Sequence, residues 1–475
     1  MITTPDPALS AATTRPAGRF ANRFPPARPR GIPDLRSLFL RLAALLLFGA
    51  PPAPAESAPA PAPAPAAEKP AAEAAPGPWH DPADPTLWPN QTSRANGDRW
   101  LVENHDRIRQ MRPRVLVINF SNEHDRPHLD RLLTGLRAAM AESSRYHGHA
   151  DPKAPVFLQY EIFKFVDLRD EDRRTGDSRR VPVKDPTATD GFNMRYAAYF
   201  TEEFARHYGV PDPDRAGRFL RLDELLERGY CHEVWLCLSG APENPRIGAY
   251  EVVELKPQYD DAFRTTAGNF VQAGNGGDPA QPWTGRSVRI GAINASRGVG
   301  CYLESLAHGL EGTSSAGAIP YLTGYFKDYA GFNLKEKYQA PFESLYAVHY
   351  GRSDVQYPNP GTLVARHGVT EFRIDTYICT GGNAHFPPNA RRHYDLDNTA
   401  PVLSTIEDWR IGSGPDGRDA AKPFTNAAFS QYRDLAPDCM GPWLVYWRQN
   451  MPGLDNRQKD DQGRPMKNWW PFLFY

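Results

Sequence analysis

Short apolar runs alternate along this chain with stretches in which apolar positions recur at helical spacing. Residues 114–120, RVLVINF, form an unbroken apolar run closed by polar residues, the pattern of a strand buried on both faces. Residues 128–140 carry their apolar side chains at helical spacing, and 156–166 read as a second strand. Charged residues with Gly and Pro make 169–192 a loop. Helices are predicted over 196–208 and 222–227, and strands over 233–238 and 287–294. The turn SRGVG at 296–300 then leads into a helix over 301–310. Strand, helix, strand in this order predicts parallel units with right-handed crossovers. The fold class is therefore α/β: a mostly parallel sheet flanked by helices over about 110–320.

Beyond residue 320, Gly, Pro, Asn and aromatic residues dominate. Residues 321–475 are predicted to be a loop-rich, aromatic-rich half packed on the sheet. Within it, 371–379 alternates as a strand, and the apolar end WWPFLFY at 469–475 docks on the core. Residues 79–475 are expected to form a single large globular unit.

The N-terminus has a different texture. Seven arginines between Arg15 and Arg41 precede the apolar run LAALLLFGA at 42–50, and Ala53-Pro-Ala55 supplies small residues before Glu56. This is the three-part pattern of a secretory signal over 1–55, with an apolar run shorter than the roughly 20 residues a membrane span needs. An uncleaved anchor is the other reading. Residues 56–78 are Pro/Ala-rich and predict an extended spacer without a core. The chain is expected to be secreted or periplasmic in a bacterium, with no stable membrane span after cleavage.

A formal net charge of -1 over 475 residues lacks the basic excess that phosphate binding requires, so nucleic acid is not an expected partner. Five cysteines without a CxxC pair argue against a cysteine-rich zinc module. Cys231 and Cys237, about 20 Å apart on one strand, cannot bridge each other and read as buried thiols.

Three constellations can carry chemistry. Glu304, His308 and Glu311 fall on one stripe of the 301–310 helix and its continuation, beside the apolar stripe of Leu303, Leu306, Ala307 and Leu310. Imidazole and carboxylate donors on one face suit a divalent cation, zinc or calcium. Glu311 lies in the last turn, where the helix dipole disfavours negative charge and a cation would offset it. The same residues also suit a solvated helix face, and HExxH does not occur. The second constellation is the turn at 296–300, whose backbone N–H groups could meet an anion with Arg297 pairing to it; tight-turn geometry is the alternative. The third is GGNAHFPPN at 381–389, where His385 is a candidate acid/base or ligand. In it Asn383 and Asn389 are candidate substrate binders, or else turn residues bonded to their own backbone. GxSxG does not occur, which argues against an ordinary serine hydrolase elbow.

RVLVINF at 114–120, NASRGVGCYLESLAHGLE at 294–311, HFPPNARRHYDLDN at 385–398 and KNWWPFLF at 467–474 resemble a family of secreted bacterial proteins. The resemblance spans most of 110–475 and implies export and one co-evolved unit. It implies no activity.

The expected function is that of an extracytoplasmic hydrolase, metal-dependent in its fuller form, acting on a polysaccharide, glycoconjugate, peptide or small molecule. Glu304 and His308 act as acid, base or ligand, Glu311 as a further ligand, and His385 assists from a facing loop. The alternative is a non-catalytic secreted module that binds carbohydrate through exposed aromatics, with Trp443, Trp447, Trp469 and Trp470 as the candidates.

Overall fold

The structure, a computed structural model, describes residues 81–187, 192–240, 248–350, 355–367 and 369–475, with side chains of 348–350 and 367 left out. The leader and spacer expected over 1–55 and 56–78 lie outside the described residues.

Six strands form the central sheet: β1 (Arg114–Asn119), β2 (Glu161–Asp167), β3 (Glu233–Leu238), β4 (Val252–Tyr259), β5 (Thr265–Gly274) and β6 (Val288–Asn294). Their order is β2-β1-β3-β6-β4-β5. The first four run parallel, whereas β4 is antiparallel to β6 and β5 to β4. The fold is α/β, but the sheet is mixed, which corrects the expectation of a mostly parallel one. The hairpin leaves no readable pattern. In β4, Glu254, Lys256 and Pro257 interrupt the apolar run although both charged residues are buried. Most of β5 is exposed and has no apolar period to detect.

The pleat explains the two cores. Val115 and Val117 of β1, Trp235 and Cys237 of β3 and Ile293 of β6 point to one side. There they meet α1 (Arg126–Ser143), α4 (Val299–Ser315), α5 (Pro320–Tyr329) and α6 (Gly441–Gln449). Leu116, Ile118, Val234, Leu236, Val288 and Ile290 point to the other side, under the short helices α2 (Glu202–Tyr208) and α3 (Leu222–Glu227). The helix expected over 196–208 is divided by Thr201, whose hydroxyl accepts from the Phe204 N–H and starts α2 afresh. A third core lies beneath the antiparallel sheet of β7 (Val355–Asn359), β8 (Thr362–His367) and β9 (Thr370–Ile374), shorter at its end than the strand expected over 371–379. Among the described residues, no helix is long and apolar enough to cross a membrane.

One feature of the sheet is electrostatic. Arg289 of β6 donates to Glu233 of β3 (2.9 Å) and to Glu254 of β4 (3.1 and 3.2 Å), and all three are buried. Lys256 follows on β4. It ion-pairs with Glu254 (3.1 Å) and donates to the carbonyls of Phe472, Leu473 and Tyr475 at 3.0–3.1 Å. The apolar segment from Trp469 onward is thus docked on the core through a buried ammonium as well as by packing.

Candidate metal centre and cavity

A cavity of about 680 Å³ opens beyond the carboxyl ends of β3 and β6, where open α/β sheets place their ligands. Gly240 lines it after β3, Asn294 at the end of β6, Glu251 before β4, and Arg297, Cys301 and Glu304 from the entry and first turns of α4. Tyr394 and Cys439 close it from the C-terminal half.

The start of α4 is held by a side chain distant in sequence. Asp438 accepts from the N–H groups of Gly298 (2.9 Å) and Gly300 (2.8 Å), and Arg297 stands 3.6 Å from the same carboxylate. The anion met by the backbone at this turn is therefore the protein's own Asp438, and Arg297 stands beside it while also lining the cavity. The glycines are needed for close approach: a Cβ on Gly300 would fall 1.9 Å from the Asp438 carbonyl oxygen. Gly441, at the start of α6, packs against Gly300 in the same way, with its Cβ position 2.8 Å from the Gly300 Cα.

Along α4, Cys301, Glu304, His308 and Glu311 lie on one face. The structure brings Glu304, His308 and His385 together. Glu304 Oε1 is 3.1 Å from His308 Nε2 and 2.5 Å from His385 Nε2, and the two Nε2 atoms are 3.1 Å apart. Ligand atoms each about 2 Å from a tetrahedral zinc stand about 3.3 Å from one another, so this triangle is close to a three-ligand set. The Tyr394 hydroxyl lies 3.0 Å from Glu304 Oε1 and 3.1 Å from His385 Nε2, on a side chain exposed at the cavity mouth. Glu251 Oε2 is 3.6 Å from His308 Nε2.

Both imidazoles are held from behind. His308 Nδ1 bonds Glu311 Oε2 (2.8 Å), and His385 Nδ1 faces His393 Nδ1 at 2.9 Å. Glu311 therefore bonds His308 through Nδ1 while Glu304 meets Nε2, and the cluster that the structure brings together is Glu304, His308 and His385. The helix runs on to Ser315, so Glu311 is not in its last turn as expected; its charge is met by the Ala384 N–H (3.0 Å), the Tyr346 hydroxyl (3.2 Å) and His308. Orienting a ligand imidazole through its other nitrogen is a recurrent role for such a carboxylate.

Asn383 and Asn389 are both engaged with the backbone. The Asn383 side chain accepts from the N–H groups of His385 (3.2 Å) and Phe386 (3.1 Å), an Asx turn that aims His385. Asn389 donates to the carbonyls of Asn398 (2.6 Å) and Ala400 (3.2 Å) and is fully buried. Neither lines the cavity. Trp443, Trp447, Trp469 and Trp470 are 0–4% exposed and offer no face for stacking on a sugar.

Charge at the centre follows from these contacts. Burial opposes ionisation of Glu304, but hydrogen bonds and charge from His308 and His385 hold its carboxyl far below the usual carboxylate range. Burial likewise opposes the His308 imidazolium, yet its bonds to Glu304 and Glu311 lift it to about 10. Burial, and then the Glu304 charge, push Glu251 upward. On the other side of Glu304, the Cys439 thiol donates to Oε2 (3.3 Å), and the Cys301, Glu304 and Cys439 donor atoms all lie within 4.8 Å of one another. The hydrogen bond from Cys439 lowers the Cys301 thiol.

Sequence reasoning missed Glu251, His393, Tyr394, Cys301, Cys439 and Asp438. The one signal available was Cys301, which stands three residues before Glu304 and so on the same helical face.

Compared with protein-family models, curated proteins and solved structures, the chain finds no match.

Proposed function

We propose that this cavity is the active site of a metal-dependent hydrolase, exported from a bacterial cell and acting on an extracytoplasmic polysaccharide, glycoconjugate or peptide. The observation that carries the reading is the convergence of one carboxylate and two imidazole nitrogens within 3.1 Å at the edge of an open cavity. Two nitrogens and one oxygen favour zinc; calcium would require six or more oxygen ligands. Three protein ligands with a fourth position open to substrate is the arrangement of catalytic rather than structural zinc. Held by Glu304, His308 and His385, such an ion would supply Lewis acidity for hydrolysis. Glu251, partly exposed and 3.6 Å from His308, would serve as the base for an attacking water, and the Tyr394 hydroxyl would donate to a developing oxyanion. The basic, apolar-cored leader and the resemblance to secreted bacterial proteins support the location.

Elemental analysis of the purified full chain tests the reading. About one zinc per chain is expected at the imidazole site. Its affinity should fall at least tenfold in His308→Ala and in His385→Ala, with an unchanged far-UV spectrum, and chelation should abolish hydrolysis across a panel of chromogenic glycosides, esters and peptides. A double alanine variant that keeps the full zinc stoichiometry of the wild type, or wild-type protein that takes up no zinc from micromolar solution, would overturn it.

A further inference from the structure

The Glu304 carboxylate has two oxygens, and they face different donors. Oε1 meets the imidazoles, while Oε2 accepts from the Cys439 thiol and lies beside Cys301. The thiols arrive from separate elements, Cys301 from the third residue of α4 and Cys439 from the residues just before α6. Gly300 and Gly441 are what allow this: their missing side chains let the two helix starts touch, and the Asp438 carboxylate ties the residue before Cys439 to the turn before Cys301. Cys439 is held at φ 50°, a left-handed conformation that aims its side chain back at Glu304. Both thiols line the cavity and both are free, whereas Cys231, Cys237 and Cys379 are buried in the cores.

We propose that Cys301, Cys439 and Glu304 Oε2 form a second, soft-metal site, so that Glu304 bridges two cations, one held by imidazoles and one by thiolates. Two thiolates and a carboxylate are a donor set for zinc or another thiophilic divalent ion, and exclude magnesium and calcium. The spacing fits. A sulfur about 2.3 Å and an oxygen about 2 Å from a tetrahedral ion stand about 3.5 Å apart, against 3.3 Å between Cys439 Sγ and Glu304 Oε2. A carboxylate shared in this way sets two ions about 3.5–4 Å apart, the separation used in two-metal hydrolytic sites. Charge balances too: two thiolates and the carboxylates of Glu304 and Glu251 offset two divalent ions. Binding releases the two thiol protons to solvent, and no electron is transferred. The inference rests on the hydrolase reading only through the shared Glu304.

Cobalt(II) titration of the metal-free full chain separates the two sites. A thiolate-to-cobalt charge-transfer band should rise in the near ultraviolet, survive in His308→Ala/His385→Ala, and vanish in Cys301→Ser/Cys439→Ser, with the wild type binding two Co²⁺ per chain and each double variant one. In the wild type, which needs no variant to fold, Co²⁺ should protect Cys301 and Cys439 from iodoacetamide at least tenfold, read by peptide mass spectrometry. Absence of the band or of protection overturns the thiolate site, as does a band lost equally in both variants, which would mean a single mixed centre. A native disulfide, seen as three rather than five thiols on denaturation, overturns it as well. Should the imidazole variant keep full stoichiometry while the band follows the cysteines, the thiolate site stands and the hydrolase reading fails.

Discussion

At the scale of single residues, the centre ties ion binding to a proton. Without an ion, His308 lies between Glu304 and Glu311 and holds its proton up to about pH 10, well above the ordinary 6.5 of a free imidazole. A raised histidine pKa contributes stability that is full below the unfolded value and is lost as pH climbs through 10, so the metal-free protein should weaken between pH 7 and 10. An ion needs the lone pair on Nε2 and must displace a proton, so apparent zinc affinity should rise toward tenfold per pH unit over the same interval. Calorimetric titration at pH 7.5 in buffers of different ionisation enthalpy should show at least one proton released per zinc. Heats independent of buffer would contradict a protonated His308. The stripe of Glu304, His308 and Glu311 can be read from the sequence because one helix fixes their relation. The meeting of that stripe with His385, and the placing of Glu251 and Tyr394, are long-range facts that no local period encodes. Glu311 shows the limit most plainly: helical spacing puts it on the same face as Glu304 and His308, yet it bonds the His308 nitrogen other than the one that meets Glu304.

At the scale of elements, α4 is set by what its glycines allow. Gly312 faces the end of β5, and a Cβ there would fall 2.2 Å from the Gly274 backbone nitrogen, an atom that cannot swing aside. Gly324, on the exposed side of α5, would meet nothing within 4 Å. Both replacements by alanine gain about 1 kcal/mol of helix propensity. Only Gly312→Ala must push two elements apart, a packing cost of about 1–3 kcal/mol or more. Urea denaturation should therefore find Gly312→Ala destabilised and Gly324→Ala neutral or stabilised. A stabilised Gly312→Ala would mean that α4 does not pack so closely on the hairpin. The same hairpin marks where the pattern of the chain stops being informative. β1, β3 and β6 announce themselves as apolar runs because parallel neighbours and two helical layers bury both faces. β4 hides its burial behind Glu254 and Lys256, and β5 is exposed, so the antiparallel edge was not legible.

For the molecule as a whole, one buried cation stands in the joint between sheet and C-terminal half, beside its apolar packing. Lys256 is 0% exposed, and its ammonium is shared by Glu254 and three carbonyls of the final segment. Burial works to lower its pKa, and Glu254 works against that. Lys256→Met keeps most of the volume and the apolar stem but removes every one of those donors. Glu254 retains Arg289, so its carboxylate is not abandoned; the oxygens of Phe472, Leu473 and Tyr475 lose the ammonium, Leu473 alone keeping a contact with Arg289 (3.4 Å). Breaking a buried pair from one side typically costs about 3–5 kcal/mol. The partner that remains for Glu254 argues for the lower end of that range. Where the loss falls is the more telling quantity. If the final segment is a clasp, hydrogen exchange should accelerate at 469–475 and along β4 in Lys256→Met while β1 and β3 keep more of their protection, because the core on their other face, which includes Leu116, Ile118, Val234 and Leu236, contains no residue of the clasp. Uniform acceleration across the sheet would mean instead that the segment belongs to the same cooperative unit as the parallel strands, and that the cavity at their carboxyl ends opens whenever it does.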